Sequence, residues 1–208
     1  MEEYLVPGQW GTAEYVEKRS RFIAQVWRVS SASEAADRIS AVKEKYWDAT
    51  HNVYAWILRS GESHCTDDSE PRGTAGMPTL EVFRKRGVFD ACCVVTRYFG
   101  GTLLGAGGLV RAYGKAASMA LEAAGIYVMK KWCRARIPCP YAWYESIKQR
   151  IVNYGGTVED TLFAENVTVY ALVPAESSDA LARSVEELTA GRVTVDVTGE
   201  EVLPGRLE

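Results

Sequence analysis

The chain has 208 residues, of which 47 % are hydrophobic and 25 % charged, and its formal net charge at pH 7 is −3. These values are typical of a globular protein of one large or two modest domains, and they argue against a broadly basic nucleic-acid binder. No apolar run approaches the roughly 20 residues that span a bilayer. The first ten residues, MEEYLVPGQW, lack the plan of a signal peptide. The five cysteines include no CxxC pair, which predicts reduced thiols in a cytoplasmic protein without a membrane anchor.

The charge is unevenly distributed along the chain. Residues 1–130 contain 16 Lys and Arg against 15 Asp and Glu, a net charge of +1, whereas residues 131–208 contain 8 against 12, a net charge of −4. A site for a polyanion would therefore have to be a local basic patch, and we expect it in the first part of the chain.

The N-terminal part predicts a mixture of strands and helices. Residues 11–19 and 21–29 have the composition of two antiparallel strands. Ser31-Ala-Ser-Glu34 is a capping-box pattern, which predicts the start of a helix. The remaining elements predicted here are strands at 51–58 and 90–99 and helices at 78–86 and 107–124.

The C-terminal part predicts the order β-α-β-β-α-β. Pro140 suits the first turn of a helix that Gly155-Gly156 ends, two strands turn around residues 164–166, and a second helix follows Ser177 or Ser178. This order is typical of a ferredoxin-like domain, with two helices on one face of an antiparallel sheet. We therefore predict an α+β fold of two domains, residues 1–128 and residues 129–208.

The stretch TDDSEPRGTAGMP, residues 66–78, concentrates charge and glycine between two ordinary core-forming segments. His64 and the three carboxylates are metal-ligand types, but the stretch has no HExxH or EF-hand spacing, and adjacent aspartates in an extended loop point in opposite directions. No GxSxG elbow surrounds Ser69, and neither histidine of the chain stands in a triad context. We therefore predict no metal, no cofactor and no catalytic residue here. The residues predicted to shape the loop, by capping the following helix and pairing with arginines, are Asp67, Asp68 and Glu70.

The stretch RYFGGTLLGAGGLVRAYGKAA, residues 97–117, is the second distinctive segment. Five residues separate Gly108 from Gly114-Lys115 where a P-loop has four, and Val110 replaces the third glycine of a dinucleotide fingerprint. A helix that starts near Gly107 would nevertheless point free N–H groups and a positive dipole end outward. Helical periodicity places Arg111 and Lys115 on the solvent face, and the inward stripe consists of Leu109, Tyr113, Ala116 and Ala120.

These two stretches are predicted to lie side by side and to form the walls of one anion-binding site. The alternative is tight strand-to-helix packing with a solvated Arg/Lys face. The residues predicted to contact the anion are Arg72, Gly73, Thr74, Arg97, Gly100, Gly101, Gly105, Gly107, Gly108, Arg111 and Lys115.

Three separated blocks, KRSRFIA, DDSEPRGTAGMP and VVTRYFGGTLLGAGGLVRAYGKAA, resemble the signature blocks of the YigZ/IMPACT family and occur in the same order. The resemblance covers nearly the whole chain. It implies a first domain similar to the second domain of a small-subunit ribosomal protein and to the fourth domain of elongation factor G. It implies a second domain similar to the ferredoxin-like fifth domain of that factor. One departure is Ser69, where the family commonly has glycine; if this position requires a positive φ, Ser69 adopts it at an energetic cost.

The resemblance also implies a cytoplasmic protein without established catalytic activity, whose eukaryotic relatives act in translational control through a protein partner of a stress-responsive kinase. The leading hypothesis is a non-catalytic module that binds RNA or a ribosomal surface, with Tyr98 and Tyr113 as candidate exposed aromatics. One alternative is an enzyme that acts on a small phosphorylated or carboxylated substrate between the two stretches. The other alternative is a pure protein-interaction module.

Overall fold

The computed structural model describes residues 3–206 and divides into two compact units. The first unit comprises Glu3–Val128 together with residues 205–206, and the second comprises Met129–Pro204. Both units combine helices with a β-sheet, which confirms the predicted α+β class. No helix within residues 3–206 is long and apolar enough to cross a membrane.

The first unit is built around a five-stranded antiparallel sheet of order β2-β3-β6-β4-β5. Its elements in chain order are β1 (Tyr4–Pro7), β2 (Trp10–Glu17), β3 (Ser20–Arg28), α1 (Ala32–Lys45), β4 (His51–Ile57), β5 (Ser63–Thr66), α2 (Gly76–Arg86), β6 (Ala91–Tyr98) and α3 (Ala106–Ala124). The strands β1 and β5 are absent from the sequence prediction, because each has only four residues and neither alternates clearly between apolar and polar side chains.

Helices cover both faces of this sheet, and the sequence of β6 reflects this. Cys93 and Val95 join the core beneath α2 and α3, whereas Cys92 and Val94 join the core beneath α1. Because successive residues of a strand point to opposite faces, a strand covered on both sides has to be apolar at every position, as ACCVV is.

Helix α3 packs against the central sheet through its apolar stripe. The four stripe residues from Leu109 to Ala120 are buried, and Arg111 and Lys115 are exposed, as helical periodicity predicts. Strand β2 approaches the end of α3 closely at Gly11, where an added Cβ would lie 2.2 Å from the backbone nitrogen of Ala124. The position of α3 is therefore fixed from below by the core and at its end by backbone contact.

The second unit has the predicted ferredoxin-like order. Its elements are the strand β7 (Ile126–Cys139, beginning in the first unit), a 3-10 turn (Tyr141–Trp143), α4 (Tyr144–Asn153), β8 (Thr157–Phe163), β9 (Val167–Pro174), α5 (Ala175–Thr189) and β10 (Asp196–Arg206). The strands are arranged β10-β7-β9-β8. Alternate residues of β9, from Val167 to Val173, are buried against α4 and α5, so one face of this sheet forms the core. Helix α5 begins at Ala175, three residues before the earlier of its predicted starts.

Candidate anion-binding site

Asp67 fixes the start of α2 from the preceding loop. Its carboxylate accepts hydrogen bonds from the backbone N–H groups of Gly73 at 2.7 Å, Ala75 at 3.0 Å and Gly76 at 2.8 Å. Ala75, at the N-cap position, has no side chain that could satisfy these amides. Partial burial opposes the charge of Asp67, but the three hydrogen bonds outweigh this effect and lower the pKa of Asp67 below its usual value.

Asp68 and Ser69 form a sharp turn in the same loop. The Asp68 carboxylate accepts a hydrogen bond from the backbone N–H of Asn52 at 2.6 Å, so the two adjacent aspartates serve different segments. Asp68 has φ +44° and Ser69 has φ +70°, both in the left-handed region that favours glycine. Ser69 therefore adopts the conformation for which the family's usual glycine is suited.

Glu70 is the centre of a buried polar cluster. Its Oε1 atom accepts hydrogen bonds from Arg97 Nη1 at 2.5 Å and from the Tyr113 hydroxyl at 2.7 Å. Arg97 Nη2 donates to the Ser20 hydroxyl at 3.3 Å. Burial, and then the hydrogen bond to Glu70, raise the pKa of Tyr113 far above its usual range. Tyr113 therefore remains a neutral donor, and the cluster joins the acidic loop, β6 and α3.

His51 approaches this cluster from β4. Its Nδ1 lies 2.7 Å from the carbonyl oxygen of Asp68, so Nδ1 carries the proton. Its Nε2 lies 3.7 Å from Oε1 of Glu70. Sequence inspection had no signal for this position, because His51 lies 17 residues from Asp68 and 19 from Glu70 along the chain.

The glycine-rich turn between β6 and α3 depends on its backbone. An added Cβ at Gly100 would lie 2.0 Å from the backbone of Arg19, so only glycine fits there. Gly105, the N-cap of α3, has φ +71°. The first intrahelical bond runs from Leu109 N–H to the Gly105 carbonyl, which leaves the three preceding amides without intrahelical partners. The first turn of α3 also contains no acidic residue.

The α2–α3 groove is an open depression of about 860 Å³ between the two helices. Four of the predicted anion-binding residues line it: Gly73, Gly108, Arg111 and Lys115. The groove also contains Lys85 and Arg86, which sequence inspection missed because their helix was assigned only a packing role. Among the residues between 3 and 206, Arg111, Lys115 and Lys85 form no ion pair, whereas Arg86 is bound to Glu122 at 2.7 Å.

A second, smaller cavity lies at the start of α3. This α3 pocket has a volume of about 370 Å³ and is lined by residues of both distinctive stretches, including Glu70, Pro71, Arg97, Leu103 and Gly105. The acidic loop and the glycine-rich turn thus lie side by side. The predicted residues nevertheless do not converge on one site, because α3 separates them into the groove and the pocket.

Several predicted contacts have internal partners instead. Arg97 is 5 % exposed and bound to Glu70, so it is not an open cation on the surface. Thr74 is buried and its hydroxyl donates to the Pro71 carbonyl at 2.6 Å. Tyr113 is fully buried, which corrects the expectation of an exposed ring there, and Tyr98 is partly buried. Arg72 is exposed but lines neither cavity.

The described residues contain no group of three His, Cys, Asp or Glu side chains arranged to hold a metal ion. Asp67, Asp68 and Glu70 are instead directed to three different partners, which are backbone amides of α2, a backbone amide of β4 and the guanidinium of Arg97.

Comparison with known proteins agrees with this architecture. Residues 18–121 match the Impact N-terminal domain, and residues 137–192 match a domain of unknown function, DUF1949. The chain is 37 % identical to the IMPACT family member YvyE of Bacillus subtilis (strain 168) over 92 % of this chain and 89 % of that protein. It is 28 % identical to the IMPACT family member YigZ of Escherichia coli (strain K12), covering 92 % of this chain and 96 % of that protein.

A crystal structure of a hypothetical protein matches with a TM-score of 0.60 and 27 % identity, covering 96 % of this chain and 98 % of that chain. The match extends over both units, so the arrangement of elements within each is shared with a solved structure. The two domain matches and the Bacillus subtilis relative agree with the signature blocks in the sequence, and the chain belongs to the IMPACT family.

Proposed function

We propose that this protein is a non-catalytic regulator of translation that binds the phosphate backbone of RNA, free or at a ribosomal surface, through the α2–α3 groove. The IMPACT family is linked to the regulation of translation. A protein with this role would act in the cytoplasm, where its RNA targets are located.

The observation that carries the proposal is the set of unpaired cations in the groove. Arg111 and Lys115 lie one helical turn apart on α3 and therefore project on the same side. Lys85 faces the same groove from α2. Of the two acidic lining residues, Glu81 pairs with Arg84 at 3.3 Å, whereas Glu17 accepts a hydrogen bond from the uncharged Tyr15 hydroxyl at 2.6 Å and keeps its charge. Three cations of the groove without an ion pair among the described residues are therefore opposed by one carboxylate. The groove therefore presents net positive charge on a chain whose total charge is negative.

A protein partner is the second candidate, because two apolar side chains also reach the groove. Met77 is 42 % exposed and Val110 is 41 % exposed. A protein surface would bury them, whereas an RNA backbone would contact mainly the cations. The two candidates differ in their dependence on salt, since phosphate contacts release counterions and apolar contacts do not.

The test compares Arg111→Gln/Lys115→Gln with the wild-type chain in binding a fluorescein-labelled single-stranded RNA, by anisotropy across a salt series. A plot of the logarithm of the RNA-binding constant against the logarithm of the salt concentration should have a slope that is shallower by about 0.7 for each lost phosphate contact. The affinity should fall uniformly across RNA sequences. The matched control is Lys43→Gln/Lys45→Gln, which removes two exposed cations from α1 on the opposite face of the sheet.

The control variant should retain both the affinity and the slope of the wild type. If the groove variant is folded by circular dichroism and binds RNA like the wild type, the RNA proposal is wrong. Salt-independent binding of a protein partner that the groove variant retains and Met77→Ser/Val110→Ser loses would favour the second candidate.

A further inference from the structure

The α3 pocket is separate from the α2–α3 groove and has a different lining. Most of its wall is apolar, and the residues that form this part are Pro71, Phe99, Leu103, Leu104, Ala106 and Leu109. Its polar lining consists of Thr50, His51, Glu70 and Arg97. A concave, mainly apolar cavity of about 370 Å³ with a few convergent polar groups has the size and character of a small-molecule site.

Arg97 is the first sign that the pocket is built for a ligand. Its guanidinium lies between the rings of Phe22 and Phe99, with centroid distances of 5.4 and 5.6 Å. Nη1 and Nη2 are bound to Glu70 and Ser20, but the buried Nε–H has no acceptor among the residues that the structure describes. Buried donors are almost always paired, so this donor calls for an acceptor.

The start of α3 adds further donors at the same place. Gly105 and Ala106 line the pocket, and the amides that precede Leu109 N–H have no intrahelical partner. Neither a side chain at the N-cap nor an acid in the first turn neutralises them. The Glu70 carboxylate already accepts bonds from Arg97 and Tyr113. The Nε–H of Arg97 and the first amides of α3 are therefore donors without a partner among the described residues, which favours an anionic ligand group at this end of the pocket.

The rim of the pocket is apolar and uncovered. Leu103 is 82 % exposed and Phe99 is 45 % exposed, although large apolar side chains are usually covered. Both lie in the turn that leads into α3, beside the unpaired amides. An apolar group attached to the anion would cover them.

We infer that the α3 pocket binds an apolar carboxylate, with the carboxylate at the start of α3 near Arg97 and the apolar body against Leu103, Leu104 and Leu109. Two sources share this chemistry, a free organic acid and the C-terminal residue of a peptide. The site is independent of the groove, because Arg111 and Lys115 do not line it.

The test titrates the full chain by calorimetry with N-acetyl-leucine and N-acetyl-phenylalanine, and with the corresponding amides as uncharged controls. The acids should bind saturably, and the amides should bind at least about tenfold more weakly. A tetrapeptide that ends in leucine, with a free or an amidated C terminus, distinguishes the sources. Tighter binding of the free-ended peptide than of N-acetyl-leucine indicates a peptide end, and the reverse indicates a free acid.

Leu103→Asp tests the location, because its side chain is exposed and the change leaves the core intact. It should weaken binding of the acid by about tenfold or more through repulsion. Leu162→Asp, a change at another exposed leucine (53 %) in β8, is the matched control and should bind as the wild type does. The groove variant Arg111→Gln/Lys115→Gln should also retain acid binding, which separates this inference from the RNA proposal. Absence of saturable binding by every acid, equal binding of acids and amides, or unchanged binding by Leu103→Asp would overturn it.

Discussion

The acidic loop and helix α3 both concentrate charge, but they use it in opposite ways. Every carboxylate of the loop has an internal partner: Asp67 the amides of α2, Asp68 the amide of Asn52, and Glu70 the Arg97 side chain. Within the described part of the chain, Arg111 and Lys115 of α3 have no such partner, and both side chains are exposed. Charge density in a sequence therefore does not identify a binding surface by itself. The difference lies in whether the charge is neutralised within the fold, and substitutions should separate the two regions by their effect on stability.

The largest effect is expected for Glu70→Ala. This change leaves Arg97 as a buried charge without its anion and removes the acceptor of the Tyr113 hydroxyl. Breaking one side of a buried ion pair costs about 3–5 kcal/mol, so the free energy of unfolding, measured by urea denaturation, should fall by that amount. Glu62→Ala, at an exposed position before β5, should change it little. A loss below about 1 kcal/mol at Glu70 would contradict the view that this cluster holds the loop.

Asp67→Asn should have the next largest effect on stability. Loss of the charged cap should lower the free energy of unfolding by about 1–2 kcal/mol at neutral pH. Because the folded pKa of Asp67 is lowered, its contribution is present above its ordinary pKa of 3.8 and is lost as the pH falls through the folded value. The difference between wild type and variant, measured by urea denaturation from pH 7 downward, should therefore shrink below about pH 4. A difference that stays constant or grows on acidification would show that the charge of Asp67 is not responsible.

Ser69→Gly should stabilise the protein by about 1 kcal/mol, because it removes a side chain from a position with positive φ. The same exchange at Ser177, inside α5, should instead lower the free energy of unfolding by about 0.5 kcal/mol, since glycine is the poorer helix former. Thermal and urea denaturation should show a gain in stability for Ser69→Gly and a loss for Ser177→Gly. Destabilisation at Ser69 would mean that its side chain has a structural role that outweighs the strain.

The smallest effect on stability is expected for Arg111→Gln/Lys115→Gln. Exposed substitutions away from internal contacts change the free energy of unfolding by less than about 0.5 kcal/mol. Denaturation of this variant at neutral pH is also the folding control for the RNA experiment. If this variant lost as much free energy of unfolding as Glu70→Ala, Arg111 and Lys115 would be structural charges like those of the loop. The contrast between the two regions would then be wrong.

The periodic features of the fold could be predicted from the sequence. The contacts between side chains that lie far apart along the chain could not. The stripe from Leu109 to Ala120 and the β-α-β-β-α-β order follow from local spacing, and both are present. Arg97 shows the limit of prediction from local sequence. Its position at the end of a strand beside a glycine-rich turn suggests an open cation, yet Glu70 neutralises it from 27 residues away. His51 and Lys85 reach the two cavities through pairings between distant segments, for which no short pattern is diagnostic.

The cap that Asp67 provides has a consequence for how the first unit opens locally. One carboxylate holds three amides that lie six to nine residues farther along the chain, so any displacement of Asp67 releases all three together. In hydrogen–deuterium exchange, the amides of Gly73, Ala75 and Gly76 should therefore show the same free energy of opening once their intrinsic exchange rates are taken into account, as a single cooperative unit. Since Gly73 borders the α2–α3 groove, that shared opening event also sets how often one wall of the groove is rearranged.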